Sequence, residues 1–432
     1  MTLSGKRVNI LGAGSSGRAA AALALREGAD VHVFDGRESI DVPVEGATLH
    51  PGTTPESAEP GDLLVVSPGV PTFGKLVAAF SRVAGETIGE IELASRYYEG
   101  RIIAITGTNG KTTTTELVER VVKASGFTTV ACGNYGTPVC EVVMRDPVPE
   151  VLSLEASSFQ LETVASFRPD VAVWLNFAPD HMDRYETVED YRAAKLRIFE
   201  NQRAGDLAVV RHGEPLPELA AEVVTFSTES GDADWFSDGR RILHRGEEIL
   251  DLHEGTHLRG MHNAENAMAA IAAGLAAGAD RDAVVRAFHG YAPPRHRCEL
   301  VRTLDGVEWL NDSKATNLHA LESALRSQDR PLVLIAGGKE KGLDYTPLLP
   351  MLRERVQAVV TFGQIGAALA ETLGSAVSTE CVPTLADAVP AARGRAVRGG
   401  TVLFSPGTSS FDQFGGYEER GDTFCRLVKE LL

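Results

Sequence analysis

The segment Thr106-Gly-Thr-Asn-Gly-Lys-Thr-Thr113 carries the residue types best suited to chemistry in this chain. A buried-looking apolar run precedes it and a helical pattern follows it. Backbone N–H groups at a helix start favour an anion, a lysine neutralises phosphate oxygens, and a threonine hydroxyl can sit on Mg²⁺. Gly107, Thr108, Asn109, Gly110, Lys111, Thr112 and Thr113 are therefore expected to hold a nucleoside triphosphate, with Lys111 acting on its phosphates. The strict pattern places a glycine where this chain has Ile105; Gly107 comes late instead, so the loop is a shortened variant.

Glu155 closes a second apolar run, Val151-Leu-Ser-Leu154. A carboxylate at a strand end, facing a phosphate loop, suits a Mg²⁺ ligand. The competing reading is an ordinary solvated glutamate, which the apolar run argues against. His181, in Pro179-Asp-His-Met-Asp183, reads by itself as a structural group. Lys195 stands on a charge-rich helical pattern and reads as a cation on a solvated face, because an ammonium cannot ligate Mg²⁺. A second glycine loop, Gly12-Ala-Gly14-Ser-Ser-Gly17, follows the first strand and opens a helix, and Asp35 ends the next strand. This is the spacing of a dinucleotide site such as one for NAD. Tight packing without a ligand, and a different nucleotide, stay open beside it.

The elements that must position these residues alternate. Arg7–Leu11, Val31–Phe34 and Leu63–Val66 read as strands, with a helix over Arg18–Arg26. Arg101–Ile105 reads as a buried strand and Lys111–Ala124 as the helix after the phosphate loop. Val151–Leu154 and Val171–Leu175 are further strands, and Val188–Asn201 and Asn263–Ala277 are helical by pattern. Tyr291-Ala-Pro-Pro294 is a stiff break, because consecutive prolines cannot continue a helix. Pro331–Ala336, Ala358–Phe362 and Thr401–Phe404 are strands of a third unit. Near-continuous apolar strands between helices predict parallel sheets covered on both faces. The expectation is an α/β fold in three domains, residues 1–99, 100–294 and 295–432.

A length of 432 residues fits about three domains. Lys and Arg total 42 against 59 Asp and Glu, a formal net charge of −17, which argues against binding nucleic acid or an anionic membrane. The five cysteines form no Cys-x-x-Cys pair, so reduced, mostly buried thiols are expected instead of a disulfide framework or zinc ribbon. Neither a signal peptide nor an apolar run of membrane-spanning length is read, and a cytoplasmic monomer is expected.

Nine segments, taken in order, carry a resemblance over essentially the whole chain. They are Ile105–Thr112, Gly133-Asn-Tyr-Gly136, Glu155-Ala-Ser-Ser-Phe-Gln-Leu-Glu162, Asp180-His-Met-Asp-Arg-Tyr185 and Tyr191-Arg-Ala-Ala-Lys-Leu-Arg197. They continue with His262-Asn-Ala-Glu-Asn266, His296-Arg297, Asn311-Asp-Ser-Lys-Ala-Thr-Asn317 and Ser405-Pro-Gly-Thr-Ser-Ser-Phe-Asp-Gln-Phe414. Together they resemble the Mur ligase family, ATP-dependent amide-forming enzymes of peptidoglycan precursor synthesis. The resemblance is strongest to the member that adds D-glutamate to UDP-N-acetylmuramoyl-L-alanine.

The resemblance implies a Rossmann-like N-terminal domain for the UDP-substrate, a P-loop-type central ATPase domain and a Rossmann-like C-terminal domain for the amino acid. It implies an acyl-phosphate intermediate, with ADP and phosphate as products, and ATP and Mg²⁺ as cofactors. Lys111 and Thr112 would hold ATP phosphates and Mg²⁺; Glu155 would ligate the first Mg²⁺ and His181 the second. Lys111, His181 and Lys195 would be catalytic, with Lys195 carbamylated so that its added carboxylate binds metal. Asn263 and Asn266 would contact the adenine side, and Arg297 and Asp312 would reach the nucleotide. Ser15, Ser16, Asp35, Gly36, Arg37 and Gly69 would grip uracil and diphosphate. Asn134 and Ser157 would touch the muramoyl-alanine part. Lys314, Thr316, Lys341, Ser410, Phe411 and Tyr417 would surround D-glutamate.

Three other functions compete. Another amide ligase of the same superfamily, such as a folylpolyglutamate synthase or the meso-diaminopimelate-adding member, is the nearest; the Ser-Ser-Phe-Asp-Gln-Phe segment and the lack of an Asp-Asn-Pro-Arg motif favour D-glutamate. An NAD-dependent dehydrogenase would explain Gly12–Gly17 and Asp35 but not the phosphate loop. A non-catalytic nucleotide-binding module would leave most of the motif residues without a role.

Overall fold

The computed structural model describes residues 2–40, 44–182, 184–256, 258, 260–292, 295–326, 328 and 331–432. Pro293 and Pro294 of the expected stiff break lie outside the described residues. The chain divides into two compact units: residues 1–256 with 263–291, and residues 257–262 with 292–432.

The first unit holds two sheets. One has five parallel strands in the spatial order Thr48–His50, Asp30–Phe34, Arg7–Leu11, Leu63–Val66, Thr87–Gly89. The other has nine strands. Seven are parallel, in the order Trp235–Ser237, Glu222–Ser227, Leu207–Arg211, Val171–Trp174, Arg101–Thr106, Val151–Glu155, Thr129–Gly133. Two more, Arg241–His244 and Glu247–Asp251, continue past Trp235–Ser237 as antiparallel neighbours. Leu63–Val66, Val151–Glu155 and Val171–Trp174 are buried along their whole length, as strands covered on both faces must be. One apolar cluster runs from Val8, Ile10 and Leu23 through Ile91 and Leu93 to Leu152, Leu154 and Trp174, which is why both sheets belong to one unit.

The second unit holds a six-stranded sheet in the order Glu299–Leu304, Val307–Asn311, Thr401–Phe404, Leu332–Gly337, Val356–Phe362, Ser378–Cys381. Only its first strand is antiparallel to its neighbour. The fold class is therefore mixed α/β with parallel-rich sheets.

Parallel strands end together, so register alone gathers the site residues. Thr106 pairs with Trp174 and Ile105 with Glu155, and Glu155 pairs in turn with Gly133. The phosphate loop, Asn134, Glu155 and the chain after Trp174 thus emerge at one carboxyl edge, where open α/β sheets bind ligands. In the first sheet Leu11 pairs with Phe34 and Val66, which brings Gly12, Asp35 and Ser67 to one edge. In the third, Asn311 and Ile335 pair with Phe404, so Asp312 and Ser405 share an edge.

The helix after the phosphate loop spans Lys111–Ala124, as expected, and buries Leu117, Val118, Val121 and Val122. The helix expected over 188–201 is shorter: it runs Val188–Leu196, capped by Thr187 accepting from the Asp190 N–H, and tightens into a 3₁₀ turn at Arg197–Phe199. The Ala-rich helix Met261–Ala276 crosses the phosphate-loop helix closely; a Cβ at Gly274 would stand 2.6 Å from Val121 Cγ1. All five cysteines are free, three of them buried. Among the described residues no helix is long and apolar enough to cross a membrane.

Candidate functional site

The phosphate loop is held open by an asparagine that the sequence reading passed over. Asn176 Oδ1 accepts from the Asn109 N–H at 2.9 Å, its Nδ2 donates to the Asn109 carbonyl at 3.1 Å, and its carbonyl accepts from the Thr108 N–H. Thr108 Oγ1 closes the clamp: it donates to the Ala178 carbonyl and accepts from the Ala178 N–H, both at 3.0 Å. Thr108 and Asn109 therefore shape the loop with these groups. The helix Lys111–Ala124 starts directly after this loop, and a helix start is a place that favours an anion. Gly110 has φ of +86°, and a Cβ there would lie 2.2 Å from Asn266 Oδ1. Asn266 thus stands directly against the loop, with Asn263 one turn earlier; its Nδ2 reaches Asn263 Oδ1 at 3.5 Å.

Two lysines converge on one carbonyl. Lys111 Nζ donates to Gly107 O and Thr108 O at 3.0 Å each, and Lys195 Nζ donates to Gly107 O at 2.9 Å. Lys195 is 2% exposed, so the reading of a solvated cation is wrong. Its ammonium lies 4.8 Å from the Tyr191 ring centroid. Burial first, and the neighbouring Lys111 charge second, hold the Lys195 amine well below the ordinary lysine range, against a smaller upward pull from Asp180 and Glu155.

Glu155 is 3% exposed, so it is not a solvated glutamate either. Asn134 Nδ2 donates to its Oε1 at 2.7 Å, while its Oε2 is buried without a hydrogen-bond partner. An orphaned carboxylate oxygen at a strand end is what a cation would satisfy. Asn134 orients that carboxylate through this bond. Ser157 caps the helix Ser158–Leu161: its Oγ accepts from the Gln160 N–H, and its own N–H donates to Gln160 Oε1. His181 has φ of +58° and its ring meets Phe159 and Tyr191 edge-on, at 4.8 and 5.9 Å between centroids. Tyr191 thereby touches both His181 and Lys195, and its hydroxyl lies 3.5 Å from Thr108 Oγ1. Among the described residues no three His, Cys, Asp or Glu side chains cluster as a ready-made metal site. The donors fit Mg²⁺ in its usual manner, with one or two carboxylates and the remaining positions taken by phosphate oxygens and water.

At the first sheet's edge, Asp35 Oδ2 accepts from the Ala13 N–H at 2.7 Å, and Arg37 forks onto both carboxylate oxygens at 2.8 and 3.0 Å. The Arg37 guanidinium holds the Asp35 carboxyl down at about 2. Gly17 packs so tightly that a Cβ would lie 1.8 Å from Gly12 O, whereas a Cβ on Gly14 or Gly69 would meet nothing within 4 Å. Ser15 and Ser16 open the helix Ser15–Arg26 on that clear side, and Gly36 and Arg37 are exposed beside it.

In the second unit Asp312 is buried, accepting from Ser405 Oγ at 2.7 Å and from the Cys298 N–H at 3.2 Å. Burial pushes its carboxyl up to about 7, against a downward pull from Arg297, whose Nε is buried without a partner. Lys314 Nζ lies 5.0 Å from the Tyr417 ring centroid, and Lys341 Nζ donates to Thr316 O at 3.4 Å. Ser410 is buried and Phe411 is exposed. The sequence reading missed Arg420, a fully buried arginine. It donates through Nε to Ser313 Oγ, through Nη1 to Thr408 O and through Nη2 to Ser313 O, at 2.8–3.1 Å. Burial brings its guanidinium down to about 10. It ties together the loops that carry Lys314 and Ser410.

Comparison with known proteins accords with this geometry. Residues 105–274 match the Mur ligase middle domain, and residues 296–407 match the Mur ligase, glutamate ligase domain. A UDP-N-acetylmuramoylalanine--D-glutamate ligase of Geobacter metallireducens is 41% identical, with 100% of this chain and 99% of that protein covered. The enzyme of the same name from Salinibacter ruber is 39% identical, covering 99% and 98%. In fold, the chain is similar to UDP-N-acetylmuramate-alanine ligase MurC of Thermotoga maritima, with a TM-score of 0.59 at 19% identity over 98% of this chain and 99% of that one. It is also similar to the MurF ligase of Thermotoga maritima in complex with ADP, with a TM-score of 0.59 at 18% identity over 88% and 97%. The chain belongs to the Mur ligase family.

Proposed function

We infer that this chain is an ATP-dependent ligase that joins D-glutamate to UDP-N-acetylmuramoyl-L-alanine in peptidoglycan precursor synthesis. The observation that carries the chemistry is the buried, unpartnered Glu155 oxygen at the strand edge shared with the phosphate loop. The choice of D-glutamate follows the full-length relatives named for that reaction.

A carboxylate acylates poorly because its leaving group would be oxide. Transfer of the ATP γ-phosphoryl group to the muramoyl-alanine carboxylate breaks the phosphoanhydride and gives an acyl phosphate, with ADP released. The D-glutamate amine, after losing its proton, attacks the acyl carbon, and the tetrahedral intermediate expels phosphate. Lys111 neutralises the triphosphate against the incoming carboxylate. Mg²⁺ supplies the same neutralisation and would be held by Glu155 and Thr112, with His181 and a carbamylated Lys195 at a second ion. An unprotonated, buried Lys195 amine is the form that adds to carbon dioxide; the step releases a proton and leaves a carbamate, whose negative charge attracts Lys111.

We further propose that residues 1–99, 100–294 and 295–432 act as domains for UDP-substrate, ATP and amino acid. In that division the outer two are Rossmann-like and the central one P-loop-type. Ser15, Ser16, Asp35, Gly36, Arg37 and Gly69 would hold the UDP end, and Asn134 and Ser157 the muramoyl-alanine end. Asn263, Asn266, Arg297 and Asp312 would hold the nucleotide; Lys314, Thr316, Lys341, Ser410, Phe411 and Tyr417 would hold D-glutamate. The chain would work as a cytoplasmic monomer. The test is phosphate release with ATP, Mg²⁺, UDP-N-acetylmuramoyl-L-alanine and a panel of amino acids. Release that requires both the UDP-substrate and D-glutamate is expected; equal turnover with other amino acids, or without the UDP-substrate, would refute the reading.

A further inference from the structure

Two residues of the segments that first suggested the family, Glu162 and Arg184, have no part in the chemistry above, yet they form a dense polar junction in the first unit. Arg184 is pulled in from the loop that carries His181; the Arg184 and Tyr185 N–H groups both donate back to the His181 carbonyl. Its guanidinium forks onto Glu162, Nε to Oε1 at 3.2 Å and Nη2 to Oε2 at 2.6 Å. Both side chains are almost fully buried, at 10% and 2% exposure. The other face of the fork reaches the first sheet: Nη1 donates to Pro68 O at 2.9 Å, and Nη2 to Thr72 Oγ1 at 3.2 Å and Val70 O at 3.4 Å. Thr72 Oγ1 donates in turn to Glu162 Oε2 at 2.6 Å, and the Tyr185 hydroxyl donates to Glu162 Oε1. The Phe159 ring lies under the guanidinium, 4.0 Å from Cζ to centroid, and the same ring packs edge-on against His181.

One arginine thus ties three pieces of chain from distant parts of the sequence. The first is the loop after Leu63–Val66, which holds Gly69. The second is the segment after Glu155, which ends at Glu162. The third is the loop after Val171–Trp174, which holds His181. Each follows a strand at a carboxyl edge; the first bears Gly69, assigned above to the UDP end of the substrate, the second Ser157, assigned to its muramoyl-alanine end, and the third His181, assigned to a metal ion. A buried ion pair is a poor source of net stability, because desolvation offsets the attraction; its use is to fix geometry. Arginine is the side chain that can do this, since its planar fork serves several acceptors at set angles.

We propose that Arg184, clamped by Glu162, is a positioning residue that holds the UDP end of the substrate in register with the His181 loop, so that the substrate carboxylate meets the γ-phosphoryl group. This rests on the proposed function. In a reaction that needs three groups in one geometry, a displacement of about 1 Å costs about 100-fold.

The test uses the full chain and three variants: Arg184→Lys, Arg184→Met, and the double variant Arg184→Met/Glu162→Gln, which leaves no lone buried charge. Thermal melts report folding, and initial rates report kcat and KM for each substrate. The double variant is expected to melt near the wild type, yet to lose about 100-fold in kcat/KM for UDP-N-acetylmuramoyl-L-alanine, with KM for ATP within about threefold. Arg184→Lys is expected to fold and to fall in the same direction, because an ammonium cannot fork. Recovery of wild-type kcat/KM in the double variant would make the pair merely structural and overturn the proposal. Equal losses toward ATP and the UDP-substrate would overturn it too. Absence of any UDP-substrate-dependent turnover in the unmodified protein would instead refute the proposed function.

Discussion

Replacing Lys195 by alanine tests the central chemistry, and the structure sets the size of the effect. Lys111 and Lys195 both donate to the Gly107 carbonyl, at 3.0 and 2.9 Å, so their nitrogens are at most about 6 Å apart. With an effective dielectric constant of about 20, two unit charges at that distance interact by about 3 kcal/mol. As an ammonium, Lys195 would oppose Lys111 by that amount; as a carbamate, it would support Lys111 by a similar amount and offer oxygen to Mg²⁺. Removing a carbamate from the phosphate site is therefore expected to lower kcat by about 100- to 1000-fold, the usual size for one group that stabilises developing charge. The assay is phosphate release with both substrates present, repeated with added formate or acetate. A small carboxylate entering the space left by the side chain should restore part of the activity. Carbon-13 NMR of wild-type protein in labelled bicarbonate should show a carbamate carbon that is missing from the variant. Rescue by a small alkylamine instead of a carboxylate would show that the cation matters. Activity within tenfold of wild type would remove Lys195 from the mechanism altogether.

Four further outcomes are expected. Glu155→Gln keeps an acceptor for Asn134 but removes the charge of the unpartnered oxygen. It should raise the Mg²⁺ concentration for half-maximal rate by at least about tenfold and abolish the rise in melting temperature caused by Mg²⁺ and ATP together. Gly110→Ala should abolish ATP binding, measured by calorimetry, because its Cβ would fall 2.2 Å from Asn266 Oδ1 at a φ of +86°. Glu90 is buried, accepts from the Cys140 N–H at 2.6 Å, and has its carboxyl pushed up to about 7 by burial. The folded state therefore keeps a proton that the unfolded chain releases near 4.5, so Glu90 makes stability fall as pH rises from about 4.5 to 7, by about 3 kcal/mol, and stay flat above. Denaturant melts of Glu90→Gln should lack that slope; an unchanged slope would place the titration elsewhere. Arg420→Met removes three hydrogen bonds from a fully buried group and should cost about 3 kcal/mol of stability in denaturant melts. In protein that still folds, it should raise KM for D-glutamate more than KM for ATP.

The central part of the site was legible because its signals are local. Strand, glycine loop and helix at 101–124 follow from an apolar run, residues that tolerate the turn, and an amphipathic face, all within one stretch of chain. Glu155 was legible for the same reason: the run before it fixes where the strand ends. Lys195 was not, since its helix carries Glu189 and Asp190 in the first turn and looks like a solvated surface. Only the packing of that helix against the loop at Gly107 turns its lysine inward, beside Tyr191 of the same helix, and no local pattern records it. Arg420 hides in the same way among Glu418, Glu419 and Asp422, on a helix where most charges do face water. The strands Arg241–His244 and Glu247–Asp251 escaped because they are short, half-exposed and interrupted by a register shift, which erases the alternation that marks a strand.

The Arg184 junction is the extreme case. Its contacts to Pro68, Val70 and Thr72 span more than 110 positions of sequence, and no periodicity reaches so far. Yet its placement follows from rules that do act locally. Parallel strands deliver their carboxyl ends to one edge, and loops leaving that edge must meet. Half-buried loop carbonyls such as those of Pro68 and Val70 then gain from a donor, and a loop from the neighbouring sheet supplies one long enough to reach. The same geometry that builds a ligand site at a sheet edge therefore also creates the need for a side chain to tie its loops. In this chain one arginine meets that need for loops of two sheets at once, beside the apolar cluster that also joins them.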